Sequence, residues 1–171
     1  MPYRTRTYIA GDWTGDANLI SRLQYWNESS FWNLSYLDAH DLTQARDTSL
    51  PCSIKKSLKN RLDASKRFVL VVGDKTLSLT KGGCRYCTSY SIYGGCHRFG
   101  SVDNRSFIEY ECEYAVRHGL HIVVIYNDCF VDKDKCPSSV RYRGVHLPAM
   151  YLSGDGEERW NVAAIDRAIS D

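Results

Sequence analysis

Two short runs constrain this chain more than any other feature: Phe68-Val69-Leu70-Val71-Val72 and Ile122-Val123-Val124-Ile125-Tyr126. Each is continuously apolar and rich in β-branched residues, without the alternation that would leave one side wet. Strands of that kind are buried on both faces, and a sheet buried on both faces is a parallel sheet whose crossovers lay helices against it. Neither run approaches the roughly 20 residues needed to cross a bilayer, so no membrane association is expected.

The segments around these runs alternate in the same sense. Arg6-Thr7-Tyr8-Ile9-Ala10 reads as a first strand. The turn Gly11-Asp12-Trp13-Thr14-Gly15 follows, and Asp16 is placed to cap a helix carrying Leu19, Ile20, Leu23 and Trp26 on one face. Residues 31–37 alternate, with Trp32, Leu34 and Tyr36 on one side, as a second strand that ends in the polar loop Asp38-Ala39-His40-Asp41. Pro51 suits a first helical turn; Ile54, Leu58 and Leu62 then recur at fourfold spacing, while Lys55, Lys56, Lys59 and Arg61 are expected to face water. Residues 106–118 read as the helix between the two central strands, and a strand at 149–152 with a helix at 161–169 completes the pattern. The expectation is one α/β domain over residues 1–171, a flavodoxin-like parallel sheet flanked by helices on both faces. The exception is an insert at about 74–105, rich in Gly, Cys and Tyr, which follows neither period and is long enough to be functional or to hold structure of its own.

Composition narrows the function classes. With 43% hydrophobic and 25% charged residues the chain is an ordinary globular one, and its net charge of +2 comes without a basic stretch interleaved with aromatics, so no nucleic-acid partner is expected. The opening Met1-Pro2-Tyr3-Arg4 runs towards a strand with no charged-then-apolar leader, which predicts a cytoplasmic protein. Cys52, Cys112 and Cys129 lie in or beside regular segments, as small buried thiols do, and disulfides are not expected. Within the insert, Cys84-x2-Cys87 followed by Cys96-His97 supplies enough soft ligands for one structural zinc ion. Adjacent residues point apart in extended chain, and the alternative is free thiols in a loop packed by Tyr86, Tyr90 and Tyr93.

One carboxylate stands out by position. On the 106–118 helix, Ile108, Cys112, Ala115 and Val116 form an apolar face, Glu109, Glu113 and Arg117 fall opposite, and Glu113 with Arg117 has the spacing of an exposed ion pair. Glu111 instead projects near the apolar side, where desolvation raises a carboxyl's pKa unless it is paired or faces a cleft. Either it serves chemistry or it is a core-edge glutamate bonded to a neighbouring backbone group or Arg. A second candidate is the turn after the first strand. Its amides face the place where α/β crevices hold ligands, and Asp12 and Asp16 suit ribose hydroxyls, with Gly11 giving close approach and Trp13 stacking on a ring. Loops at the carboxyl ends of parallel strands converge, which brings Asp38, Asp41 and Asp74 to the same rim. A turn with one capping Asp and a packed Trp accounts for the same residues.

The stretch Ser106-Phe107-Ile108-Glu109-Tyr110-Glu111-Cys112-Glu113-Tyr114-Ala115, then His118-Gly119 and the 122–126 strand, resembles the corresponding region of TIR-like domains, specifically the bacterial kind of Thoeris antiphage systems. Tyr8-Ile9-Ala10 with Asp16, residues 41–54 and residues 68–74 extend the resemblance over roughly 5–127, the insert being foreign to the common TIR pattern. The resemblance implies an enzyme that cleaves the nicotinamide bond of NAD, with Glu111 as the required glutamate. It also implies homo-oligomeric assembly, an ADP-ribose or cyclic ADP-ribose product, and a separate effector protein that senses that nucleotide. Two rivals are a non-catalytic TIR-like assembly module and a phosphoacceptor receiver domain. Asp12 and Asp74 suit the latter, but residues 147–152 lack the lysine that a receiver carries at the end of its last strand.

Overall fold

The computed structural model describes residues 6–29, 50–93, 95, 96 and 101–171, and residues 37 and 38 through their backbone. In chain order the elements are β1 (Arg6–Ala10), α1 (Ala17–Glu28), β2 (Leu37–Asp38), α2 (Pro51–Asp63), β3 (Ser65–Val72), the short β4 (Tyr90–Ser91) and β5 (Gly95–Cys96), α3 (Phe107–Arg117), β6 (His121–Tyr126), β7 (Val145–Pro148), β8 (Met150–Leu152), β9 (Glu158–Trp160) and α4 (Val162–Ser170). The main sheet has the order β2-β1-β3-β6-β7, and every pairing in it is parallel. That is the flavodoxin-like order, in which the chain steps outward from β1 to β2 and returns to β3 on the other side, leaving a switch point between β1 and β3.

Alternation along the strands sorts the core into two layers. Tyr8, Phe68, Leu70, Ile122 and Val124 point to the face covered by Leu58 and Leu62 of α2 and Ile108, Cys112 and Ala115 of α3. Ile9, Val69, Val71, Val123 and Ile125 point to the face covered by Leu19, Ile20 and Leu23 of α1 and Ile165 and Ile169 of α4. Burying one such aliphatic side chain stabilises the fold by about 1.5–3 kcal/mol, so the two apolar runs account for the position of both central strands.

Several local expectations need correcting. Residues 31–36 lie outside the described residues, and Asp38 falls in β2 rather than in a loop. The last strand of the main sheet is β7, not residues 149–152. Pro148 ends the pairing with β6, and Met150–Leu152 turns away to pair antiparallel with β9, leaving Tyr151 and Leu152 exposed. Lys55 and Arg61 do not face water: both are buried, with α3 packed beside α2. Asp16 sits at the start of α1 but makes no side-chain capping bond. Glu113 bonds Arg105 at 2.6 Å, so Arg117 is not its partner among the described residues.

The insert has structure of its own, namely two 3-10 turns (Thr76–Ser78 and Cys84–Tyr86) and the β4–β5 hairpin. Its two ends meet in a neck. Cys84 N donates to Asp103 O (2.9 Å), Phe107 N to Lys81 O (2.9 Å), and Arg85 N to the Asn104 side chain (3.1 Å). At Gly82, φ is +114° and an added Cβ would lie 2.7 Å from Phe107 N, so only glycine lets the neck close there.

Candidate functional site

Glu111 is held by the start of α3. Ser106 accepts from Glu109 N (3.2 Å) while the Glu109 carboxylate accepts from Ser106 N (2.7 Å), a reciprocal cap that fixes the first turn. One turn further on, the Glu111 side chain enters the seam between α3, α2 and the sheet and is 6% exposed. There the Tyr8 hydroxyl, from the middle of β1, donates to Glu111 Oε1. Burial pushes the carboxyl up to about 7, against the opposing pulls of the Tyr8 hydrogen bond and of the Arg61 charge from α2. A carboxyl in that position is poised to exchange a proton near neutral pH.

The rim forms a second group. Asp12 accepts from Thr14 N (3.0 Å) within the turn after β1, and Trp13 beside it is 42% exposed. Asp16, 4% exposed, turns its carboxylate across the switch point, where Asn127, just past β6, donates to Oδ1 at 2.8 Å. Burial raises the Asp16 pKa, Asn127 opposes it, and the nearby charges of Asp12 and Asp74 raise it further. Gly73 exists for this contact, since a Cβ there would sit 2.0 Å from Asp16 Oδ1. Gly11 likewise approaches β3, with a Cβ position 3.0 Å from Val71 Cβ. Asp74 is exposed and pairs with Lys135 (2.7 Å) from the segment between β6 and β7.

Gly11, Asp12, Trp13, Asp16 and Asp74 thus share the carboxyl edge, whereas Glu111 lies below it on the α2–α3 face. The side chain of Asp38 and all of Asp41 fall outside the described residues. Neither Asn127 nor Lys135 was among the sequence candidates. Both sit in segments of no particular motif, and only the convergence of parallel-strand ends at one rim could have pointed to them. A cleft of about 210 Å³ runs along the start of α3, lined by Leu79, Ile108, Glu109, Glu113, Ser139 and Arg141 among others; Glu111 is not part of its lining.

In the insert, Cys84 Sγ accepts from Asp103 N (3.2 Å) and Cys87 Sγ from Ser89 N (3.5 Å). All seven cysteines are free thiols. Among the described residues no group of three or more His, Cys, Asp or Glu is placed to hold a metal ion, and His97 lies outside them. Among the same residues no helix is long and apolar enough to cross a membrane.

The fold places the chain in the flavodoxin-like α/β class. No protein-family model and no curated protein matches its sequence.

Proposed function

We propose that the chain is a TIR-like enzyme that consumes NAD, cleaving the nicotinamide–ribose bond to give an ADP-ribose-type product, linear or cyclic. The product serves as a nucleotide signal for a separate effector in bacterial antiphage defence, and the active form is a homo-oligomer. The observation that carries this reading is Glu111 itself: a desolvated carboxyl on α3, held by Tyr8 in a flavodoxin-like sheet, at the position the TIR resemblance assigns to the catalytic glutamate. Bond cleavage passes through an oxocarbenium-like state, and an ionised Glu111 beside the ribose would stabilise the developing positive charge and bind its hydroxyls. The rim residues Asp12, Trp13 and Asp16 supply carboxylates and an aromatic face for the rest of the nucleotide.

The test is nicotinamide release from NAD by concentrated or crowded protein. Activity abolished by Glu111→Gln is expected; activity that survives that substitution would sink the site assignment, and none in any oligomeric state favours the non-catalytic assembly module.

The Lys135–Asp74 pair favours one second reading, a phosphoacceptor domain, because it brings a lysine to the acidic rim by a route other than the last strand. In that case Asp74 takes a phosphoryl group from acetyl phosphate with magnesium, and Glu111→Gln leaves the labelling intact.

A further inference from the structure

The neck of the insert is joined to α2 and α3 by ion pairs. Lys55 of α2, only 6% exposed, donates from Nζ to the carbonyls of Asp103 (3.2 Å) and Arg105 (2.8 Å) and pairs with the Asp103 carboxylate (3.2 Å). Arg105 grips both Asp103 oxygens, with Nε to Oδ1 at 2.9 Å and Nη2 to Oδ2 at 2.8 Å, and reaches Glu113 of α3 at 2.6 Å. Both cations lie over the ring of Tyr110, the neighbour of Glu111, at 5.7 and 5.1 Å. Partial burial pulls the other way, yet the bonds from Arg105 and Lys55 hold the Asp103 carboxyl down at about 2.

The neck therefore touches α2 and α3 together, at Lys55, Tyr110 and Glu113, while Glu111, which lies between the last two along α3, faces Tyr8 from β1 and Arg61 from α2. On its other side, Lys81 and Gly82 rest on Phe107, one turn before Glu111 on the same helix. The character of the joint matters. Asp103 and Arg105 keep 30% and 33% of their side-chain surface in water, so the joint is polar, salt-sensitive and separable from the apolar core beneath it.

We propose that this neck is an autoinhibitory latch: closed, it seals the α2–α3 seam; released, it admits water and the substrate to Glu111. The latch is argued from the contacts that the neck makes with α2 and α3, while the identity of the substrate rests on the NAD-cleaving reading.

The test separates the two. The titration of Glu111 is followed by carboxyl-carbon NMR, assigned by its loss in Glu111→Gln, and hydrogen exchange is followed across residues 101–107. Lys55→Met and Arg105→Gln should speed exchange in the neck, leave β6 protected, and lower the Glu111 midpoint by roughly one to two pH units as water enters. Should either variant fail to fold, Gly82→Ala, which unseats the neck from its Phe107 side, gives the same reading. An unchanged midpoint in a variant whose neck exchanges fast overturns the latch. With NAD added, the loosened variants should release nicotinamide several-fold faster than wild type at equal concentration. A lowered midpoint without any nicotinamide release leaves the latch standing and removes the NAD reading.

Discussion

Tyr8 and Glu111 stand 103 residues apart in the chain and share a buried hydrogen bond that ties the middle of β1 to the first half of α3. Because the phenol donates to a carboxyl whose ionisation burial opposes, the pair couples the stability of the domain to pH.

The sign of that coupling is definite. The folded Glu111 titrates at about 7, above its ordinary 4.5, so its contribution to stability is complete below pH 4.5 and is lost as the pH rises through 7. The whole effect amounts to about 3 kcal/mol. Urea midpoints measured between pH 4.5 and 8 should fall with pH in wild type. In Glu111→Gln that fall should be largely absent, and the variant should be the more stable protein at pH 8.

Tyr8→Phe keeps the ring that stacks on Phe68 (centroids 6.0 Å apart) but removes the hydroxyl that donates to Glu111. The Glu111 midpoint should move further up, since the lost bond favoured the charged form. At pH 8 the substitution should cost about 1–3 kcal/mol, and less at pH 5, where the carboxyl is neutral. A cost independent of pH would show that the bond does not report on ionisation.

At the rim, Gly73→Ala forces a Cβ into the space of the Asp16 carboxylate. The expected result is displacement of Asp16 from Asn127 and a loss of about 1–3 kcal/mol, the range for a buried polar group deprived of its partner. The same NMR titration used for Glu111 should show the raised Asp16 midpoint return towards the ordinary carboxylate range once water reaches it.

Asn127→Ala attacks the same contact from the end of β6 and leaves Asp16 buried without that donor. Its Asp16 midpoint should go up, not down, and the contrast between the two variants distinguishes solvent entry from loss of a hydrogen bond.

Much of this architecture is legible in the amino-acid sequence because a doubly buried strand has an unmistakable composition. The 68–72 and 122–126 runs sit within β3 and β6, and the face carried by Leu19, Ile20, Leu23 and Trp26 is buried on α1. Legibility fails where one element's exposure depends on another's position. Their charge makes Lys55 and Arg61 read as water-facing, although helical spacing sets them on the two flanks of the Ile54-Leu58-Leu62 stripe, and the packing of α3 beside α2, with the neck over Lys55, leaves both buried. The same reason hides the Arg105–Glu113 pair, since spacing along α3 offers Arg117 and cannot see a guanidinium arriving from the preceding loop. The apolar character of residues 149–152 misleads in the opposite direction: Val145–Pro148 is less apolar, yet it is the strand that lies against β6. Glu111 is readable as the anomalous carboxylate of its helix, whereas its partner Tyr8 is not, because a parallel sheet brings residues together that no local pattern relates.

The meeting of the insert's two ends has a consequence for how such a chain can change. Because Cys84 pairs with Asp103 and Lys81 with Phe107, everything between them leaves and re-enters the domain at a single point. Lengthening, shortening or exchanging that excursion alters neither the register of β3 nor the start of α3. The domain therefore carries a socket in which new recognition surfaces can be tried while the carboxylate beneath keeps its setting.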